Sequence, residues 1–168
     1  MFVAAGDGCI LSGIYKGFTD MVRLTITARM PVVVAVQAEG SNALARAMET
    51  GRFDRRPSRT IADSISVDVP RNGRHALRLI QSHQGRIVTV TDEAILKAQA
   101  HLAGLAGLFT EPAGAAAWAG FLKIKAELPA DAFIVVLLTG HGLKDTAAAA
   151  KGVTAPEKVI RSLDDLES

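Results

Sequence analysis

Along the chain the hydrophobic period alternates between short β-branched runs and helical spacing. This is the pattern of parallel strands buried on both faces and joined by crossover helices. Phe2 to Ala4 reads as the end of a strand, Ala5 to Cys9 as a glycine turn, and Ile10 to about Arg29 as a helix. That helix sets Leu11, Ile14, Phe18, Met21, Val22 and Leu24 on one face. Val32 to Val36 is a second strand; Gly40-Ser41-Asn42 then turns the chain and caps a helix that Gly51 stops after Thr50. Arg52 to Arg59, basic and broken by Pro57, reads as a surface loop leading to Ala62–Val67.

The alternation resumes with a helix from His75 to Ile80 and a strand from Arg86 to Val90. Thr91-Asp92-Glu93 offers a hydroxyl cap followed by first-turn acids for the next helix, which carries Ile95, Ala98, Leu102 and Leu105 and ends near Gly107. Pro112 opens a further helix, bearing Trp118, Phe121 and Leu122, that ends at Leu128-Pro129. Phe133 to Leu138 is the last strand, followed by a Gly140-His141-Gly142 turn and helical segments at Lys144–Ala150 and Pro156–Leu166. The expected fold is α/β, an open and mainly parallel sheet with helices on both faces. No repeat or linker divides the chain. A buried parallel strand normally runs five or six residues, so the stub after Met1 predicts one incomplete domain spanning 1–168.

Composition narrows the function. The 168 residues are 49% hydrophobic, enough for a substantial core and incompatible with disorder. Nineteen Lys and Arg against seventeen Asp and Glu leave +2, scattered along the chain, so nucleic acid is not an expected partner despite a pI near 8.9. The single cysteine, Cys9, cannot form an internal disulfide, and no Cys/His cluster has zinc-ligand spacing, so no metal is expected. The apolar runs are too short to cross a bilayer and no signal peptide follows Met1, which predicts a cytoplasmic protein with no membrane partner.

In open parallel sheets, ligands gather outside the carboxyl ends of the strands. Gly6-Asp7-Gly8-Cys9-Ile10 lies there, between strand and helix, where glycines let amide N–H groups converge beside a positive helix end and hold an anion without a lysine. It is neither a dinucleotide fingerprint nor a P-loop, and a plain glycine-rich turn has the same pattern. Thr139, at the end of the last strand, can hydrogen-bond a heteroaromatic nitrogen without forcing its protonation, or simply cap the strand. His141 is a turn residue or a general acid–base that would need a partner. The basic loop 52–59 is a solvated loop or a phosphate patch.

Five segments occur in one order: Gly6-Asp7-Gly8-Cys9-Ile10-Leu11-Ser12-Gly13, Val36-Gln37-Ala38-Glu39-Gly40, Thr60-Ile61-Ala62-Asp63, Phe109-Thr110-Glu111-Pro112-Ala113-Gly114-Ala115 and Leu138-Thr139-Gly140-His141-Gly142-Leu143-Lys144-Asp145. In this register, over about residues 2–150, the chain resembles the carboxyl-terminal half of threonine synthase-like enzymes of the fold-type II pyridoxal-phosphate group. The resemblance implies a pyridoxal 5'-phosphate cofactor, with Ala5, Gly6, Asp7, Gly8 and Cys9 cradling its phosphate and Thr139 bonding its pyridine nitrogen. It places Glu111 near the ring, or as a structural acid opening a helix, and Glu39 and Asp63 at the rim. The Asp7 carboxylate must then point away from the phosphate. The two loops should open into a common cavity.

The same resemblance implies a lyase whose substrate is a small phosphorylated amino acid. The Schiff-base lysine of such enzymes sits in an early Ser-x-Lys-Asp-type segment that this chain lacks, as it lacks their asparagine loop. Lys16, Lys97, Lys123, Lys125, Lys144, Lys151 and Lys158 all stand in other contexts, so no catalytic residue is assigned. An amino-terminal half in trans or a homodimer is the implied partner. A threonine or serine dehydratase-like enzyme and a non-catalytic binding remnant are the alternatives.

Overall fold

The computed structural model describes residues 1–154 and Ser162. Its elements are β1 (Phe2–Ala4), α1 (Cys9–Arg23), β2 (Val34–Ala38), α2 (Ala43–Thr50), α3 (Gly73–Ser82), β3 (Arg86–Val90), α4 (Asp92–Ala106), α5 (Pro112–Ile124), β4 (Val136–Leu137) and α6 (Thr146–Lys151), with short 3₁₀ turns at Asp63–Ile65 and Gly142–Lys144. The strands form one parallel sheet in the order β3-β2-β1-β4.

Strand alternation sorts the core into two layers. Phe2, Ala4, Val34, Val36, Val88 and Val90 point to one face and pack with α4 and α5; Val3, Ala5, Val33 and Ala35 point to the other, against Leu11 and Tyr15 of α1, Leu44 of α2 and Ile80 of α3. Helices therefore cover both faces, as the strand pattern requires. α5 is rich in alanine and glycine where it lies on the sheet: a Cβ on Gly120 would strike the Val36 side chain.

Chain direction decides where a ligand can sit. From β1 the chain moves to β2 and β3 on one side, with α1, α2 and α3 on one face. It then returns past β1 to β4 with α4 and α5 on the opposite face. The strand order thus reverses between β1 and β4, and in open parallel sheets ligands sit at the carboxyl ends of the strands at such a point.

Several boundaries differ from the pattern read in the sequence. α1 stops at Arg23 rather than near Arg29: Thr25 takes a left-handed φ of 56°, and the β-branched Thr25-Ile26-Thr27 run is a poor helix continuation. Leu24 consequently faces solvent. β2 begins at Val34 and runs to Ala38, since its ladder starts where Phe2 and Arg86 pair with Val34. The expected strand 133–138 shrinks to Val136–Leu137. Its one neighbour is the three-residue β1, and Phe133 is 92% exposed. α3 starts at Gly73, two residues early, and the last described helix spans Thr146–Lys151 instead of 144–150. Leu105 faces solvent at the end of α4, whose Thr91 cap forms as expected, accepting the Ala94 N–H at 3.1 Å. The helix read at Pro156–Leu166 lies outside the described residues. Among the described residues no helix is long and apolar enough to cross a membrane.

Candidate active site

The register Val3↔Leu137 places Ala5 and Thr139 two residues beyond paired positions on adjacent parallel strands. The loops that follow β1 and β4 therefore leave the sheet side by side at the reversal point, from strands about 5 Å apart.

The loop after β1 is buried at Ala5, Gly6 and Gly8 and half-buried at Asp7, while Cys9, the first residue of α1, is exposed with a free thiol. The Ala5 N–H is committed to the Val36 carbonyl at 2.8 Å, so it extends the sheet. The amides from Gly6 to Cys9 have no acceptor among the described residues. Buried N–H groups are normally paired, so these unmatched donors at a helix N-terminus fit an anionic group. The Asp7 carboxylate accepts the Arg71 N–H at 2.8 Å and the Asp7 carbonyl accepts the Asn72 N–H at 3.2 Å, which turns this acid toward the start of α3. Gly8 needs its left-handed φ of 84°, and its carbonyl accepts from Asn72 Nδ2 at 3.2 Å.

Two buried side chains that the motifs did not single out fix this loop. Gln37, 1% exposed, donates to the Ala5 carbonyl at 3.0 Å and accepts the Ala45 N–H at 3.0 Å, tying the loop to the first turn of α2. Ser41 Oγ accepts the Val67 N–H at 2.9 Å and donates to the Ile65 carbonyl at 3.0 Å, pulling the 63–67 segment over Gly6. A Cβ on Gly6 would lie 2.9 Å from Ile65 Cα. A glutamine inside the apolar run Val34–Ala38 was the available signal.

Thr139 is exposed, and its hydroxyl has no partner among the described residues. The turn behind it is clamped by the segment before α5. The Gly140 carbonyl accepts both the Glu111 N–H at 2.8 Å and Thr110 Oγ1 at 2.7 Å, and the Gly142 N–H donates to the Phe109 carbonyl at 2.9 Å. Glu111 is 6% exposed, its carboxylate lies against Gly140, and Oε2 meets Lys144 Nζ at 2.7 Å. Lys144 is thereby the counter-charge of a buried acid. His141 Nδ1 accepts the Leu143 N–H at 3.1 Å, which makes it a cap of the 3₁₀ turn.

The expected common cavity does not form: of residues 5–9 only Asp7 lines a cavity here, and Thr139 lines neither of the two beside it. Asp7 lines a space of about 480 Å³ with Arg55, Asp68 and Arg71. Asp63, Ser64, Glu111 and Lys144 line another of about 210 Å³. The 63–69 segment lies between them. Asp68 is held below the ordinary carboxylate range, chiefly by hydrogen bonds from the Ser58 amide and hydroxyl, with Arg55 adding to them. The arginines of the basic loop 52–59 thus meet acids, Arg52 with Asp54 of the loop at 3.3 Å and Arg55 with Asp68 of the 63–69 segment at 3.8 Å. Glu39 stands apart, 4.0 Å from Lys123, at the mouth of a third cavity of about 680 Å³ between α4 and α5. No group of three or more potential metal-ligating side chains occurs among the described residues.

An open parallel sheet with helices on both faces defines an α/β fold, and the chain belongs to the pyridoxal-phosphate dependent enzyme family, whose profile matches residues 1–140. Pyridoxal phosphate is the cofactor of that family. Within it, the chain is 36% identical over 164 residues to threonine synthase of Methanocaldococcus jannaschii and 35% identical to that of Methanosarcina acetivorans, covering 95% of this chain and 40% of each relative. It therefore spans about two-fifths of the length of these curated relatives. Among solved structures, a threonine deaminase from T.th. is 29% identical with a TM-score of 0.61, covering 76% of this chain and 44% of that one. A fungal L-serine ammonia-lyase from Rhizomucor miehei shares the fold, with a TM-score of 0.72 at 23% identity over 90% of this chain and 49% of its own.

Proposed function

We propose that this chain is the carboxyl-terminal part of a pyridoxal-phosphate lyase resembling threonine synthase, which converts O-phosphohomoserine and water to threonine and phosphate. The observation that carries this is the matched exit of the 5–9 and 139–142 loops at the sheet's reversal point, one with free amide donors and the other with a free hydroxyl. The Gly6 to Cys9 amides hold the phosphate, while the Ala5 carbonyl, pinned by Gln37, sets their height. Thr139 bonds the pyridine nitrogen as a neutral partner. Glu111 lies beside the ring with its charge balanced by Lys144, and Glu39 and Asp63 stand further out. When bound, pyridoxal phosphate supplies an electron sink for carbanions of the amino-acid substrate.

This chain's own residues bind and orient. Lys144 is engaged with Glu111 at 2.7 Å. An amino-terminal half in trans brings the Schiff-base lysine and the carboxylate-binding loop, in a cytoplasmic enzyme; a homodimer is the alternative assembly. The 29% identity to a threonine deaminase supports a second reading, deamination of threonine or serine.

The test is phosphate release from O-phosphohomoserine and ammonia release from threonine, with pyridoxal phosphate present. The chain is assayed alone and then mixed with the amino-terminal half of a threonine synthase relative. The expected result is no turnover alone and phosphate release from the mixture. Ammonia release in its place selects the second reading, and threonine formation by the chain alone overturns the division of labour.

A further inference from the structure

β4 is a two-residue edge strand, so the sheet alone holds little of the turn that carries Thr139. The turn takes its position from elsewhere. Gln99 of α4, 3% exposed, donates Nε2–H to the Thr110 carbonyl at 2.7 Å. Thr110, also 3% exposed, donates its hydroxyl to the Gly140 carbonyl at 2.7 Å, beside the Glu111 N–H on the same oxygen. A Cβ on Gly114 would press on Thr110 Oγ1 and stand 3.2 Å from the Thr139 amide, so the close packing of α5 fits the same arrangement.

We infer that Gln99 is a positioning residue that fixes the Thr139 hydroxyl through Thr110 and Gly140. This rests on the assignment of Thr139 to the cofactor ring; the mechanical part stands on the hydrogen bonds alone. Removing the Gln99 donor leaves a buried carbonyl unmatched and frees Thr110 to shift, which loosens the turn while the loop after β1, held by Gln37, keeps its place.

The experiment compares the 168-residue chain with Gln99→Met, Thr110→Val, Thr110→Ser and the Gln99→Met/Thr110→Val pair. It reads amide hydrogen exchange residue by residue and the affinity for free pyridoxal phosphate. Gln99→Met and Thr110→Val should each speed exchange at Glu111 and Gly142 by about three- to tenfold, the worth of one hydrogen bond. They should weaken cofactor affinity by a similar factor and leave Ala5 and Ser12 unchanged. Thr110→Ser should restore wild-type values, and the pair should add little beyond either single change because both act in one chain. Unchanged exchange at Glu111 and Gly142, or equal acceleration throughout α1 and β2, overturns the inference. A wild-type chain that binds no pyridoxal phosphate defeats the proposed function, while the exchange data still decide the role of Gln99.

Discussion

The loop after β1 and the turn after β4 leave adjacent strands at the same depth, yet they are held by opposite means. β1 is flanked on both sides and its loop is buried, pinned by Gln37 and overlaid by the 63–67 segment. β4 has one neighbour, and its turn borrows order from Phe109, Thr110 and Glu111 across an antiparallel bridge between Thr110 and His141. The central loop is rigid through burial and offers unmatched amides. The edge turn is ordered through a relay of polar groups and offers a hydroxyl. Under the proposed function, a flat ligand with an anionic tail would set its charged end on the amides and its ring against the hydroxyl that this relay holds.

The largest effect that would break this contrast comes from Gln37→Leu. It leaves the Ala5 carbonyl and the Ala45 N–H without their partner in a buried site, for a loss of about 2–4 kcal/mol in denaturant unfolding. Matched glycine substitutions sharpen the comparison. Gly6→Ala puts a methyl group against the Ile65 backbone, which cannot swing aside, and should cost about 1–3 kcal/mol. Gly140→Ala meets the end of the Glu111 side chain, which can rotate, and should cost about 1 kcal/mol or less while disturbing the Lys144 contact. Equal losses from the two would remove the distinction between a loop packed against backbone and a turn packed against side chains.

A separate effect, seen only at high pH, lies under the β1 side. Tyr15 packs beneath the sheet with no partner for its buried hydroxyl among the described residues, and burial raises its pKa from 10.0 to about 12. A raised folded-state value stabilises the fold fully below pH 10 and loses that contribution as pH rises through about 12. Tyr15 is the sole tyrosine, so phenolate absorbance follows it directly. A midpoint well above the ordinary tyrosine value, coinciding with unfolding, is expected. Titration at the ordinary value in a folded chain would place Tyr15 outside the core.

Much of the fold was legible because strand and helix periods are encoded locally. The Arg86–Val90 strand, the Thr91 cap and the Pro112 start follow from nearest neighbours in sequence, whereas the second strand, read at Val32–Val36, is moved to Val34–Ala38 by its pairing with Phe2 and Arg86. β4 was overestimated because its apolar run 133–138 carries the composition of a strand, whereas ladder length depends on β1, a tertiary fact. Of the candidate site, the glycines and Thr139 stood out through motif and position. The commitment of the Ala5 amide to Val36 did not, nor did the turning of Asp7 toward Arg71, because both depend on partners dozens of residues away. Gln37 and Gln99 were readable only as polar residues at apolar positions, a signal that shows burial with a partner but not which partner.

The most direct measurement is titration of the isotopically labelled chain with pyridoxal phosphate, following backbone amide resonances. If both loops hold one molecule, the resonances of Gly6 to Cys9 and those of Thr139 and Gly140 shift together with a single saturation curve, and inorganic phosphate reproduces the first set alone. Movement of one set without the other under pyridoxal phosphate, or of neither, would contradict a shared cofactor site at the reversal point of the sheet.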